Sequence, residues 1–299
     1  MLEKFKGTGV ALVTPFDSTL KIDYSSLQKL LAYTASNGVD YYVVQGTTGE
    51  SPTTSANEKK AILEFIKENN RYNLPIVYGI GGNNTNQVLD TIKETDLSGV
   101  DALLSVAPYY NKPAQAGYIK HYAAIADASP VPVMLYNVPG RTGSNIEAST
   151  TIELAKHPNI IATKEASGDM VQCMQIMHEK PDDFLLISGD DMLTVPIMSM
   201  GGSGIISVLA NAFPHIFHKM VRHCFEGDFK EATKNACNLL EINPLMYKES
   251  NPTGVKQVLK EFGICENYLR LPLERASQDL EKDIKKALKE MDLKEVERI

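Results

Sequence analysis

No apolar run in this chain approaches the roughly 18 residues of a membrane span. No CxxC pair links its four cysteines, and no basic block is interleaved with aromatics. Each absence removes a class of function. Met1–Lys6 carries charge and no long apolar segment follows it, so a secretory leader is not expected. Cys173, Cys224, Cys237 and Cys265 lack the spacing of a disulfide framework, which points to reduced thiols in a cytoplasmic protein. Lysine and arginine number 30 against 37 aspartates and glutamates, for a net charge of −7. That balance argues against nucleic acid as a partner. Asn83-Asn84-Thr85 fits a glycosylation acceptor, which has no use without secretion.

What is present is a repeat. Short β-branched or apolar runs occur at Gly9–Thr14, Tyr41–Gln45, Ile76–Ile80, Ala102–Val106, Val133–Tyr136, Ile160–Lys164, Phe184–Ser188 and Gly204–Val208. They are continuous rather than alternating, as expected of parallel strands covered on both faces. Longer amphipathic stretches follow them: Tyr24–Ser36, Ser55–Asn69, Ala114–Asp127, Ile146–Lys156, Met170–His178 and Phe213–Phe225. Eight strand-helix steps within 299 residues predict an α/β fold of the (β/α)8 TIM-barrel type. The competing fold, an open doubly wound sheet, predicts a glycine fingerprint after the first strand, where the chain reads Thr14-Pro15-Phe16-Asp17 instead. From Asp228 the strand-like runs stop, and Phe229–Leu240, Thr253–Phe262 and Ala276–Met291 read as helices. The expected organisation is a catalytic barrel over 1–227 and a C-terminal helical appendix over 228–299.

On such a barrel, reactive groups gather where strands end and βα loops begin. The second strand runs into Gly46-Thr47-Thr48-Gly49-Glu50-Ser51, either an ordinary glycine-rich turn or a cradle of amides and hydroxyls for an anion or carbonyl. The fourth runs into Tyr109-Tyr110, which most simply pack against their neighbours. The fifth ends at Tyr136 and is followed by Arg141, which could pair a proton carrier with a carboxylate clamp; a core-edge tyrosine and a surface arginine are the plainer reading. The sixth ends in Lys164. A lysine there either snorkels to water or sits inside the barrel mouth, where desolvation favours the neutral, nucleophilic amine that forms Schiff bases. His215, His218 and His223 could share a helix face, but neither Cys224 nor a carboxylate completes a metal signature. Gly201-Gly202-Ser203-Gly204 precedes a strand rather than opening a helix, so it reads as a tight entry into strand eight and not as a phosphate loop.

Three of these segments together resemble the dihydrodipicolinate synthase family, Schiff-base lyases of the N-acetylneuraminate lyase superfamily. They are Gly46-Thr47-Thr48-Gly49-Glu50, Tyr136-Asn137-Val138-Pro139-x-Arg141-Thr142-Gly143 and Lys164-Glu165-Ala166-Ser167-Gly168, with a weaker continuation at Asn251-Pro252 and Val255-Lys256. The resemblance implies that Lys164 forms an imine with pyruvate. It implies a hydroxyl relay of Thr47, Tyr136 and Tyr110, the last supplied across a subunit contact. It further implies that Thr48 holds the pyruvate carboxylate, that Arg141 holds that of aspartate 4-semialdehyde, and that Gly189 and Ile206 line the pocket with their carbonyls. No metal or organic cofactor is implied. The expected partners are these two small molecules and further copies of the chain in a dimer or tetramer, with no nucleic acid and no membrane. Two other readings stay open. A sialic acid or keto-deoxy sugar acid lyase of the same superfamily would share Lys164 and Tyr136 but has less use for a second carboxylate clamp. A barrel that only binds a small acid would need no imine.

The resemblance also suggests a regulatory site at Ser51, Ala56, Lys59, Asn83, Gln87 and Tyr109. Lysine-inhibited members typically carry histidine and glutamate at the positions of Lys59 and Gln87. Here Lys59 would repel a bound ammonium and Gln87 offers no charge to hold it, so weak or absent inhibition by lysine is expected.

Overall fold

In the computed structural model, which describes residues 2–291, eight strands form a closed parallel barrel in chain order. The strands are β1 Gly7–Ala11, β2 Tyr41–Val44, β3 Ile76–Gly79, β4 Ala102–Val106, β5 Val133–Asn137, β6 Ile160–Glu165, β7 Leu185–Ser188 and β8 Gly204–Ser207. Every expected run recurs, with ends shifted by no more than three residues. Nearly all strand residues are buried, which accounts for their unbroken apolar pattern.

The helices are α1 Tyr24–Ser36, α2 Ala56–Asn69, α3 Thr85–Glu94, α4 Gln115–Ala128, α5 Pro139–Thr142, α6 Ala148–Leu154, α7 Met170–Glu179, α8 Thr194–Ser199, α9 Pro214–Phe225, α10 Phe229–Cys237, α11 Asn243–Tyr247, α12 Thr253–Glu261 and α13 Gln278–Glu290. Local chemistry sets their starts. Ser26 N–H donates to the Asp23 carboxylate at the head of α1 (3.0 Å), and Ser55 with Glu58 closes a reciprocal capping box on α2. The sequence reading passed over α3. Its cap is Asn84, whose side chain accepts from Gln87 N–H, so the apparent glycosylation triplet is a helix start. The short α5, α8 and α11 were also missed; at 4, 6 and 5 residues they are too brief to show a helical period. No helix among the described residues is long and apolar enough to cross a membrane.

The chain divides into two compact units, one of Met1–Gly7 with Pro75–Ile206 and one of Thr8–Leu74 with Ser207–Ile299. In the first, α3, α4, α6 and α7 pack in succession along their strands. In the second, α1 packs on α2, α9 on α10, and α12 on both α11 and α13. The Tyr41 ring there fills the space that a side chain at Gly9 would need. The helices α10 to α13 of the expected C-terminal region share this unit with residues 8–74, and residues 292–299 of that region lie outside the described ones.

The Gly201–Gly204 segment does turn tightly into β8. Gly204 has φ +132°, and a Cβ on it would lie 2.0 Å from the Gly7 carbonyl oxygen. Gly7 N–H in turn donates to the Ser203 carbonyl at 2.9 Å, so backbone has replaced side chain at this junction. Gly204→Ala should therefore cost roughly 1–3 kcal/mol of backbone strain, plus about 1–3 kcal/mol of overpacking. Urea unfolding checks this; a loss below about 1 kcal/mol would show that the junction relaxes freely.

Candidate active site

Strand geometry builds the first half of the site. Tyr136 and Lys164 are paired across β5 and β6, and the next pair in register is Asn137 with Glu165. Successive side chains of a strand point to opposite faces, so the two pairs lie back to back. Lys164 Nζ stands 4.3 Å from the centre of the Tyr136 ring, in cation–π geometry. Lys164 is 5% exposed and Tyr136 7%, so this lysine sits inside rather than snorkelling to water. Gly189, just past β7, packs on the lysine stem: a Cβ there would meet Lys164 Cγ and Cε at 3.0 Å. Ile206, on β8, is fully buried.

Behind this pair, on the helix side of the sheet, is a closed polar ring. The Asn137 amide donates to Asn145 Oδ1 (2.7 Å) and to both Glu165 oxygens (3.0 and 3.2 Å). The Asn145 amide donates to Gln172 Oε1 (2.8 Å), and the Gln172 amide donates to Glu165 Oε2 (3.1 Å). Ser167 N–H adds a bond to Glu165 Oε1 at 2.8 Å. Burial pushes the Glu165 carboxyl up, and these donors pull it back. The residue types lie inside or near the motifs read from the sequence, but nothing in the sequence showed that they close on one another.

The loop after β5 carries Arg141 on α5. Gly143, at φ +68°, ends that turn with its N–H on the Pro139 carbonyl. Thr142 Oγ1 donates to Ser144 O and Ser144 Oγ to Pro108 O, which fastens this loop to the one after β4. Arg141 itself is exposed. In the β4 loop the tandem tyrosines are not packed away: Tyr109 is 44% exposed and Tyr110 87%, with Tyr110 at φ +67°. Asn83 donates to the Tyr109 carbonyl and Asn111 to that of Asn83, which holds the loop's shape.

The loop after β2, in the other compact unit, is no ordinary glycine turn. Gln45 and Glu50 both take the left-handed conformation, at φ 59° and 53°. Thr48 is 2% exposed, and its hydroxyl accepts from the Asn251 amide at 3.1 Å. Thr47 is half-buried, and its carbonyl accepts from Glu50 N–H. Glu50 makes a fully buried ion pair with Lys256 Nζ at 2.5 Å, and Lys256 also donates to the Tyr268 carbonyl. Desolvation pulls the Lys256 ammonium down, while the Glu50 charge pushes it up. Lys256 Nζ and the Arg270 guanidinium each lie 4.4 Å from the centre of the Phe16 ring. Arg270 then forks onto Glu58 at 2.6 and 2.9 Å, which drops the Glu58 carboxyl to about 2. The sequence reading missed this brace.

The remaining candidates separate. Half-buried Lys59 feels desolvation that lowers its pKa, while Ala56 and Gln87 are exposed and Ser51 and Asn83 half-buried. His218 Nδ1 sits 2.8 Å from the Gly38 carbonyl, while His223 Nδ1 lies 3.8 Å from the Glu226 carboxylate, beyond hydrogen-bond distance. Cys173, Cys224 and Cys265 are buried free thiols and Cys237 is an exposed one.

Residues 4–291 match the model of the dihydrodipicolinate synthetase family. A 4-hydroxy-tetrahydrodipicolinate synthase of Cytophaga hutchinsonii is 50% identical over 286 residues, covering 96% of each chain. One of Flavobacterium psychrophilum is 46% identical over 280 residues, covering 93% of this chain and 96% of its own. Among solved structures, dihydrodipicolinate synthase from Aquifex aeolicus superposes with a TM-score of 0.92 at 36% identity, over 97% of this chain and 99% of its own.

Removing one member of a buried ion pair leaves the other uncompensated, at a cost of about 3–5 kcal/mol. Lys256→Met should lose that much, and Glu50→Gln in the same chain should recover part of it. Denaturant titration of the two variants decides; a single-variant loss below about 1 kcal/mol would mean that water reaches Glu50.

Proposed function

The chain belongs to the dihydrodipicolinate synthetase family, and from that premise we infer that it condenses pyruvate with L-aspartate 4-semialdehyde to give 4-hydroxy-tetrahydrodipicolinate, in the diaminopimelate route to lysine. The observation that carries this reading is the buried Lys164 amine against Tyr136 at the carboxyl end of β6. Lys164 Nζ attacks the ketone carbon of pyruvate, and water leaves to give the imine. The imine accepts electrons, so a methyl proton departs and an enamine forms. The enamine carbon adds to the aldehyde carbon, whose oxygen takes up a proton. The acceptor's own amino group then adds to the former ketone carbon, and the Lys164 amine leaves as the ring closes.

These steps need proton carriers and charge clamps. The Tyr136 hydroxyl serves as the proton carrier for the lysine, and Thr47 and Tyr110 complete the relay. Thr47, Tyr110, Tyr136 and Lys164 all follow or close carboxyl ends of strands, where barrel enzymes gather their reactive groups. An 87% exposed tyrosine in a left-handed backbone gains little within one chain, which supports its use by a second copy in a dimer or tetramer. Thr48 holds the pyruvate carboxylate, and Arg141 offers a forked cation to that of the aldehyde. Gly189 and Ile206 contribute backbone carbonyls at the pocket wall. The same reading makes this a cytoplasmic enzyme that works without a metal or organic cofactor, and one that lysine inhibits weakly or not at all at Ser51, Ala56, Lys59, Asn83, Gln87 and Tyr109.

Borohydride reduction in the presence of pyruvate should trap a stoichiometric adduct, and peptide mass spectrometry should place it on Lys164. An adduct elsewhere, or none, would end the mechanism. Arg141→Ala should lower kcat/KM for the semialdehyde by about 10- to 100-fold, on the scale of losing a charge-assisted pair, while leaving the rate of pyruvate trapping within about threefold. Equal losses in both would make Arg141 structural instead.

A further inference from the structure

Glu165, Asn137, Asn145 and Gln172 have no part in the chemistry just described, yet their side chains close on one another in a continuous ring of hydrogen bonds. Glu165 is 1% exposed, Asn137 fully buried and Gln172 6% exposed. A carboxyl buried this far, with no ion pair among the described residues, calls for an explanation, since burial without pairing is costly. Its compensation is N–H donors alone, from Asn137, Gln172 and Ser167.

The position of the ring supplies the explanation. Asn137 directly follows Tyr136, and Glu165 directly follows Lys164. A bond between the second pair therefore fixes the backbone of both strand ends one residue from the first pair. Tyr136 and Lys164 are themselves partners in register, so the rotation of either strand end would part the tyrosine ring from the lysine nitrogen. The ring also reaches beyond these strands. The Asn145 carbonyl accepts from Gln115 Nε2 on α4 at 3.0 Å, and Ile146 N–H donates to Asn137 Oδ1 at 3.0 Å. Asn145 ends the loop that bears Arg141, and Gln172 is on α7. One set of hydrogen bonds thus ties the proposed nucleophile, its proton carrier, and the landing point of the carboxylate-binding loop to the surrounding helices.

We propose that the Glu165–Asn137–Asn145–Gln172 ring is the positioning device of the reaction: it acts through the backbone on Lys164 and Tyr136 and sets their orientation for imine formation. This rests on the reading of Lys164 as the nucleophile. The donor pattern makes the ring directional. Glu165 only accepts, Asn137 donates to it and accepts from Ile146 N–H, and each amide between them passes the pattern on. Replacing Glu165 by glutamine keeps size and shape but puts a donor where donors converge. Reversing the pair, with Asp at 137 and Gln at 165, restores one acceptor facing one donor, and the amides of Asn145 and Gln172 can turn to suit.

The test is the rate of borohydride-trapped imine per folded active site, with thermal unfolding measured on the same samples. Trapping on Lys164 in the unaltered enzyme fixes the underlying reading first; its absence there sinks that reading and not the ring alone. Glu165→Gln is expected to slow trapping by about 10–100-fold with a smaller change in the pyruvate concentration at half-saturation. The double variant Asn137→Asp with Glu165→Gln should recover at least fivefold of that rate. If Glu165→Gln does not fold, Gln172→Met, which removes one donor from Glu165, should slow trapping about three- to tenfold. A ring that only stabilises the fold would lower the unfolding temperature and leave the trapping rate per folded site unchanged in these variants, and that result overturns the proposal. Slow trapping without recovery in the folded double variant would also overturn it, because orientation through matched donors and acceptors requires the rescue.

Discussion

The register between β5 and β6 is the constraint on which the rest of this molecule turns. With side chains alternating along each strand, one register puts Tyr136 beside Lys164 on the inner face and Asn137 beside Glu165 on the outer. A slip of β6 by a single residue would break both pairs: the lysine would meet the helices and the carboxyl the interior. The chain guards against that slip on the outer face. Glu165 would lose the Asn137 and Gln172 donors, and a carboxyl without them stays buried only at high cost. Apolar packing alone would specify this register weakly, because both faces of a buried parallel strand are greasy. The polar ring specifies it strongly.

A similar logic operates on the loop after β2, with ionic rather than neutral partners. The segment from Gly46 to Glu50 takes a left-handed backbone at its end and cannot hold that shape by itself. Glu50 anchors it by bonding the Lys256 ammonium and the Arg270 N–H. Asn251 holds Thr48 directly. Phe16 gives both cations an aromatic ring in place of part of their water. The helical C-terminal region therefore does more than add apolar cover: it supplies the groups that shape a loop more than two hundred residues earlier.

How much of this could be read in the sequence depended on the range of the interaction. Strands and most helices were legible because their signals are local: continuous apolar runs, a 3.6-residue period, and caps such as Asp23 and Ser55. The α3 helix escaped because its capping asparagine sits in a triplet with another meaning and its turns carry only Val88 and Ile92 as buried residues. Lys164 was legible as a strand-end lysine, but its fate between water and interior was not, since that depends on Gly189 and Tyr136 from other strands. The brace of Glu50 with Lys256 joins residues 206 apart, and no spacing rule reaches that far. Asn145 and Gln172 were invisible for the same reason, although their partners Asn137 and Glu165 lie inside motifs already singled out.

The contrast in exposure among the proposed reactive groups matches what each would have to do. A lysine that attacks a carbonyl must shed water, because a hydrated ammonium has neither the lone pair nor the access. Lys164, for which that attack is proposed, is 5% exposed and lies against a ring and a glycine. An arginine that captures a dissolved carboxylate must stay reachable until the ligand arrives, and Arg141 is exposed on a four-residue turn. Putting both demands on one strand end would compromise each. Here Asn137 stays with the strand while the chain runs out through Arg141 and returns at Asn145, and the bond between these two asparagines closes the excursion. Rigidity at the base of the loop and openness at its tip are thus compatible, because the ring fixes where the loop starts and ends without restraining the residue in between.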